Sequence, residues 1–153
     1  MRRPLCEILF SCYAIKQAFM KTYAVRLQPN QDLKTSLENY ARENQINAGV
    51  ILTCVGSLNC ATLRMANENV LKTFDGKFEI VSLVGTFSAD GCHLHIALSD
   101  KNGNMVGGHL KEGCTIYTTA EIAIGEIENL IFARAMDEGT GFKELVIKQR
   151  AIE

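Results

Sequence analysis

The chain has 153 residues, 47% of them hydrophobic and 22% charged, with a formal net charge of −1. That balance describes one globular domain with a core of its own and excludes a disordered chain. It also excludes a general electrostatic pull toward phosphate backbones.

In chain order, MRRPLCEILFSCYAIKQAF sets two arginines ahead of a short apolar run, in the manner of a signal peptide. Glu7 interrupts that run, no small-x-small cleavage site follows, and the segment is too short and polar to span a bilayer. Residues 1–19 are therefore read as an extension ahead of a working domain over 20–150, with no membrane and the cytoplasm as the expected location. Thr22 to Gln28 alternates as a strand, with Tyr23, Val25 and Leu27 on one face, and Pro29 and Asn30 end it. A helix is predicted from Asp32 to Asn44 on the stripe Leu33, Leu37, Tyr40 and Ala41, with Glu38 and Arg42 paired on its wet side. Val50 to Val55 reads as a strand buried on both faces.

After Gly56 the pattern predicts strands at Ala61–Ala66, Val70–Phe74, Lys77–Ser88, Cys92–Ser99, Met105–Leu110 and Thr115–Glu126. Asp75-Gly76, Ala89-Asp90-Gly91 and Lys101-Asn102-Gly103 are the turn signals between them. Asn129–Met136 and Phe142–Gln149 fit a strand or a short helix equally. The expected fold class is α+β, a single compact domain with a mostly antiparallel or mixed sheet and one clear helix. Six cysteines, at 6, 12, 54, 60, 92 and 114, show no CxxC spacing. Reduced thiols are expected, with Cys54 buried inside VILTCV.

All three histidines fall between His93 and His109. His93 and His95 stand two apart in a strand, so their rings leave the same face. The apolar pattern selects the hairpin register: a three-residue loop, Lys101 to Gly103, pairs Leu98 with Val106 and Leu94 with Leu110, and sets His95 opposite His109. A two-residue Asn-Gly loop would instead oppose Leu110 to His95 and break the apolar face. Three imidazoles on one side of a hairpin are a candidate site for Zn²⁺ or a similar divalent ion, with a fourth position open. The plain alternative is a polar strand face meeting solvent.

Gly107 and Gly108 would let a ligand or cofactor, or else a second backbone, approach closely. Cys92 alternates to the other face and is excluded as a ligand. Glu121 and Glu79 are candidate general bases or supporting carboxylates, with solvated strand carboxylates as the alternative. Arg64 is a candidate partner for an anionic ligand near Gly56 and Ser57, or else a surface or subunit salt bridge.

Four strings occur in a fixed order: GSLNCATLR (Gly56–Arg64), GKFEIVSLVGTFS (Gly76–Ser88), HLHIALSDKNGNMVGGHL (His93–Leu110) and TAEI (Thr119–Ile122). Together they resemble the PPC domain, the plants-and-prokaryotes conserved domain, over roughly Met20 to Gln149. GKFEIV is similar to the Gly-Arg-Phe-Glu-Ile-Leu signature of the AT-hook plant members, with Lys77 at the arginine position. No Arg-Gly-Arg-Pro AT-hook occurs here, and His-x-His with Gly-Gly-His looks like the prokaryotic members.

The resemblance implies a homotrimer with a regulatory or DNA-associated role, its partners being itself and DNA or a DNA-binding protein. The three-histidine pattern is also similar, more distantly, to the zinc ligands of acetolactate decarboxylase. Two readings stand: a non-enzymatic binding protein carrying a histidine metal site, or a metal-dependent small-molecule enzyme of lyase or hydrolase type.

Overall fold

A computed structural model describes residues 19–66 and 70–150; apart from Phe19, the expected extension lies outside the described residues. The elements run β1 (Met20–Leu27), α1 (Leu33–Glu43), β2 (Gly49–Arg64), β3 (Leu71–Ser88), β4 (Gly91–Ser99), β5 (Met105–Leu110), β6 (Thr115–Ile127), β7 (Leu130–Met136) and β8 (Lys143–Gln149). The first six strands make one sheet in the order β1-β6-β2-β3-β4-β5, and β7 and β8 form a separate two-stranded sheet. Every pairing among these strands is antiparallel, which bears out the expected α+β class with a mostly antiparallel or mixed sheet.

The single described helix follows its sequence signals closely. Asp32 caps it, its Oδ1 accepting from the Thr35 backbone N–H at 2.9 Å, which satisfies one orphan donor of the first turn. Its Oδ2 accepts from the backbones of Gly113 at 2.7 Å and Cys114 at 3.0 Å, so the same carboxylate ties the helix to the entry of β6. Leu33, Leu37 and Ala41 are fully buried against the sheet. Leu58, Leu63, Leu94, Leu98 and Phe87 supply much of the opposing apolar layer. The wet side differs from expectation: Lys34 Nζ lies 2.9 Å from Glu38 Oε1, while Arg42 donates to Asn39 Oδ1 at 2.6 Å.

Two expected breaks are not breaks. Gly56 and the Asp75-Gly76 pair sit inside the long strands β2 and β3, which keep pairing through β-bulges between Leu58 and Cys60. The run Val50 to Val55 is also not buried on both faces, since Leu52 is 49% and Val55 57% exposed. Val81 and Val84 on β3 are exposed to a similar extent, giving the sheet an open apolar side away from the helix.

The β4–β5 hairpin takes the register read from the apolar pattern, with His95 opposite His109 and Leu98 opposite Val106. Leu94 and Leu110 do not pair as expected. At His109 the fifth strand leaves β4 and crosses to the end of β2, so Leu110 faces Leu63 and His109 faces Arg64. This crossing partly closes the sheet and leaves the first residues of β4 without a β5 neighbour.

Candidate metal centre

His109 stands where three strands meet, with Cα partners in both β4 and β2. Gly108 is needed there for packing, because a Cβ on it would come within 2.8 Å of the Arg64 carbonyl oxygen. Gly107 likewise allows close approach to β4, a Cβ there meeting Ile96 O at 2.8 Å. Both glycines thus let β5 lie close to its neighbours, and neither lines the cavity beside the histidines.

His93, His95 and His109 converge: one nitrogen from each ring lies within 4.8 Å of the others. His93 Nε2 and His95 Nε2 are 3.2 Å apart. Two imidazole nitrogens on a tetrahedral zinc, each about 2.05 Å from the ion, are separated by about 3.3 Å, so this pair already has the spacing of one tetrahedral edge. Burial, with the neighbouring Arg64 and Lys111 charges next in weight, pushes the His109 imidazole down to about 3. Burial followed by the charge of His95 lowers His93. Both shifts favour the neutral ring, the form that binds a metal.

A cavity of about 330 Å³ opens beside the cluster where β5 has left β4, bordered by His93, His109, Arg64, Arg134, Phe142 and Glu144. The last three come from the β7–β8 hairpin and its turn, which sequence reasoning did not connect to the site. Ser88 Oγ donates to Phe132 O at 2.8 Å and the Arg134 N–H donates to Asp90 Oδ2 at 2.8 Å, seating that hairpin over the start of β4. Arg134 Nη2 then donates to Thr86 Oγ1 at 2.8 Å, and Thr86 is the strand partner of His93. On the other side Arg64 Nη2 lies 3.4 Å from His109 Nδ1, its guanidinium 5.5 Å from the centre of the Phe142 ring. The two arginines flank the imidazoles, and among the described residues neither has a carboxylate within salt-bridge distance.

The other candidates separate. Arg64 joins the histidines. Glu121 lies on β6 between Arg26 and Val55, Glu79 on β3 opposite Ser57 and Ser99, and neither borders this cavity. Cys92 does border it, because β4 has a free edge there. Its thiol donates to Glu38 Oε1 at 3.3 Å and is pushed up to about 12, first by burial and then by that carboxylate. A protonated thiol is a poor ligand. The four described cysteines are all free.

A family model described as the Plants and Prokaryotes Conserved (PCC) domain matches residues 15–128. The chain is 44% identical over 132 residues to the bifunctional protein GlmU of Synechococcus sp. (strain JA-3-3Ab), covering 86% of this chain but 21% of that protein. It therefore spans about a fifth of that curated relative. A hypothetical protein from Salmonella cholerae-suis has a similar structure, with a TM-score of 0.85 and 40% identity over 89% of this chain and 99% of its own. A metal-containing protein from Archaeoglobus fulgidus superposes with a TM-score of 0.72 at 28% identity, covering 82% of this chain and 93% of its own.

Proposed function

The chain belongs to the Plants and Prokaryotes Conserved domain family, and from that premise we propose that it is a homotrimeric binding protein whose working centre is a divalent ion, zinc, held by His93, His95 and His109. The observation that carries this reading is the convergence of three imidazole nitrogens within 4.8 Å, two of them at the spacing of a tetrahedral edge. A similar structure whose protein is described as metal-containing supports it. Such an ion would act as a Lewis acid toward an oxygen at its open position. The chain's own part is to hold His109 and His93 neutral, to keep a cavity beside the ion, and to place Arg64 and Arg134 around it.

The cavity favours a small ligand over a macromolecule at this site, because it is a lined pocket at the small end of the range of about 300–1,000 Å³ typical of ligand sites. Regulation by that ligand and its turnover both remain consistent with the pocket. A DNA-associated role would have to use another surface of the assembly. The trimer is supported by the open apolar side of the sheet, where Leu52, Val55, Val81 and Val84 are each about half exposed.

The deciding measurement is metal stoichiometry by mass spectrometry after zinc loading and dialysis. Wild type should retain about one ion per chain. Alanine at His93, His95 or His109 should weaken retention by on the order of tenfold or more, whereas Cys92→Ala should match wild type. Wild-type protein that stays metal-free would end the reading.

A further inference from the structure

The contact between Arg64 Nη2 and His109 Nδ1 at 3.4 Å carries a chemical constraint. A guanidinium only donates, so this hydrogen bond needs the lone pair on His109 Nδ1. An ion bound at Nδ1 takes that lone pair. An ion bound at Nε2 leaves the ring's proton on Nδ1, where it has nothing to offer a donor. Whichever nitrogen is used, ligation by His109 and its hydrogen bond from Arg64 exclude each other.

We propose that metal loading releases Arg64 to become an anion latch, and that the site then binds a small organic carboxylate between the ion, Arg64 and Arg134. This rests on the three-histidine reading above. Arg64 has no carboxylate within salt-bridge distance, since among the described residues the only ion pairs are those of Lys34 with Glu38 and Glu112. The acidic groups bordering the cavity are engaged elsewhere: Glu38 with Lys34, Asp90 with the Arg134 backbone, and Glu144 with the Thr140 hydroxyl at 3.1 Å.

The cavity is bordered by five cationic side chains (Lys34, Arg64, Lys111, Arg134 and Lys143) and three carboxylates (Glu38, Asp90 and Glu144), so a divalent ion there adds to an excess of positive charge that an incoming anion would offset. The planar fork of arginine suits a carboxylate in particular. Phe142 supplies an apolar wall for the rest of a small organic acid, which a bare inorganic ion would not use. Arg64 and the three histidines lie within the stretch that matches the family model, whereas Arg134 and Phe142 follow residue 128, so the β7–β8 hairpin adds the second guanidinium and the apolar wall.

The test uses the full chain, with zinc affinity read by competition against a chromophoric chelator. Binding of propionate, of its isosteric amide propionamide and of inorganic phosphate is read by calorimetry on zinc-loaded protein. Propionate should bind in preference to both controls and should raise zinc affinity by the same factor by which zinc raises propionate affinity. Arg64→Met should bind zinc as tightly as wild type or more tightly, because a competitor for His109 is gone, while losing at least tenfold in propionate affinity. Arg64→Lys, which keeps the charge but not the fork, should fall between them and guards against a folding defect in the first variant. Equal propionate affinity in wild type and Arg64→Met, weaker zinc binding in that variant, or phosphate or propionamide binding as well as propionate would each overturn the latch while the metal site stands. Wild-type protein that takes up no zinc overturns the metal reading and the latch together.

Discussion

His109 is an imidazole that the fold keeps uncharged, pushed down to about 3 by its burial and then by the Arg64 and Lys111 cations. In the unfolded chain the same ring takes a proton near 6.5. Between those values the unfolded state binds more protons, so metal-free protein should lose stability as pH falls from about 6.5 toward 3, with no contribution from this residue above pH 7. His93, lowered mainly by burial, adds in the same direction. Replacing His109 with Gln should flatten this acid limb: the difference between urea midpoints at pH 7.5 and pH 4.5 should be smaller in the variant than in wild type. An unchanged difference would mean that the ring is not held neutral as its surroundings imply.

At the scale of the elements, the histidine cluster depends on how closely β3 and β4 approach. Gly85 has φ +136°, and a Cβ on it would run into the His93 carbonyl oxygen. Only glycine meets both demands. Gly85→Ala should cost on the order of 3 kcal/mol and, by displacing β4 under His93, should also lower metal retention. Chemical denaturation and metal analysis on one preparation would check both effects; full stability with full metal content would show that β4 accommodates the methyl group.

The same elements show what the sequence made legible. The helix and the β4–β5 register could be read because each rests on a local pattern, an apolar stripe in one case and alternation across a three-residue loop in the other. The three histidines followed from that register. Gly56 and Gly76 looked like strand ends because glycine usually interrupts alternation, yet both are absorbed in strands that go on pairing with their neighbours. The crossing of β5 to β2 and the seating of the β7–β8 hairpin rest on contacts far apart in sequence, such as Ser88 with Phe132 and Arg64 with His109. Arg134 and Phe142 were invisible as site residues for that reason.

For the whole molecule, the open sheet side and the net charge of −1 make opposite statements about partners. Half-exposed Leu52 and Val84 invite other copies of the chain, so gel filtration with light scattering should give a trimer, and Leu52→Glu with Val84→Glu should shift it to monomer. A wild-type monomer at micromolar concentration would contradict the assembly. Random duplex DNA should bind more weakly than micromolar at physiological salt, since no general positive field steers it. Sub-micromolar affinity with a steep salt slope would reveal a basic surface that the net charge conceals.

The departure of β5 from β4 at His109 has a mechanical side. Two ligands of the proposed ion sit on β4, and the third is on β5 at the point where it turns away to β2. An ion there would fasten the two strands where their backbone ladder ends, much as a disulfide rivets a loop in a domain whose thiols are oxidised. The described thiols of this chain are free. Its rivet would be reversible, and because an ion that binds only the folded state adds to folding free energy in proportion to the logarithm of its concentration, the firmness of this corner of the sheet would follow the supply of metal.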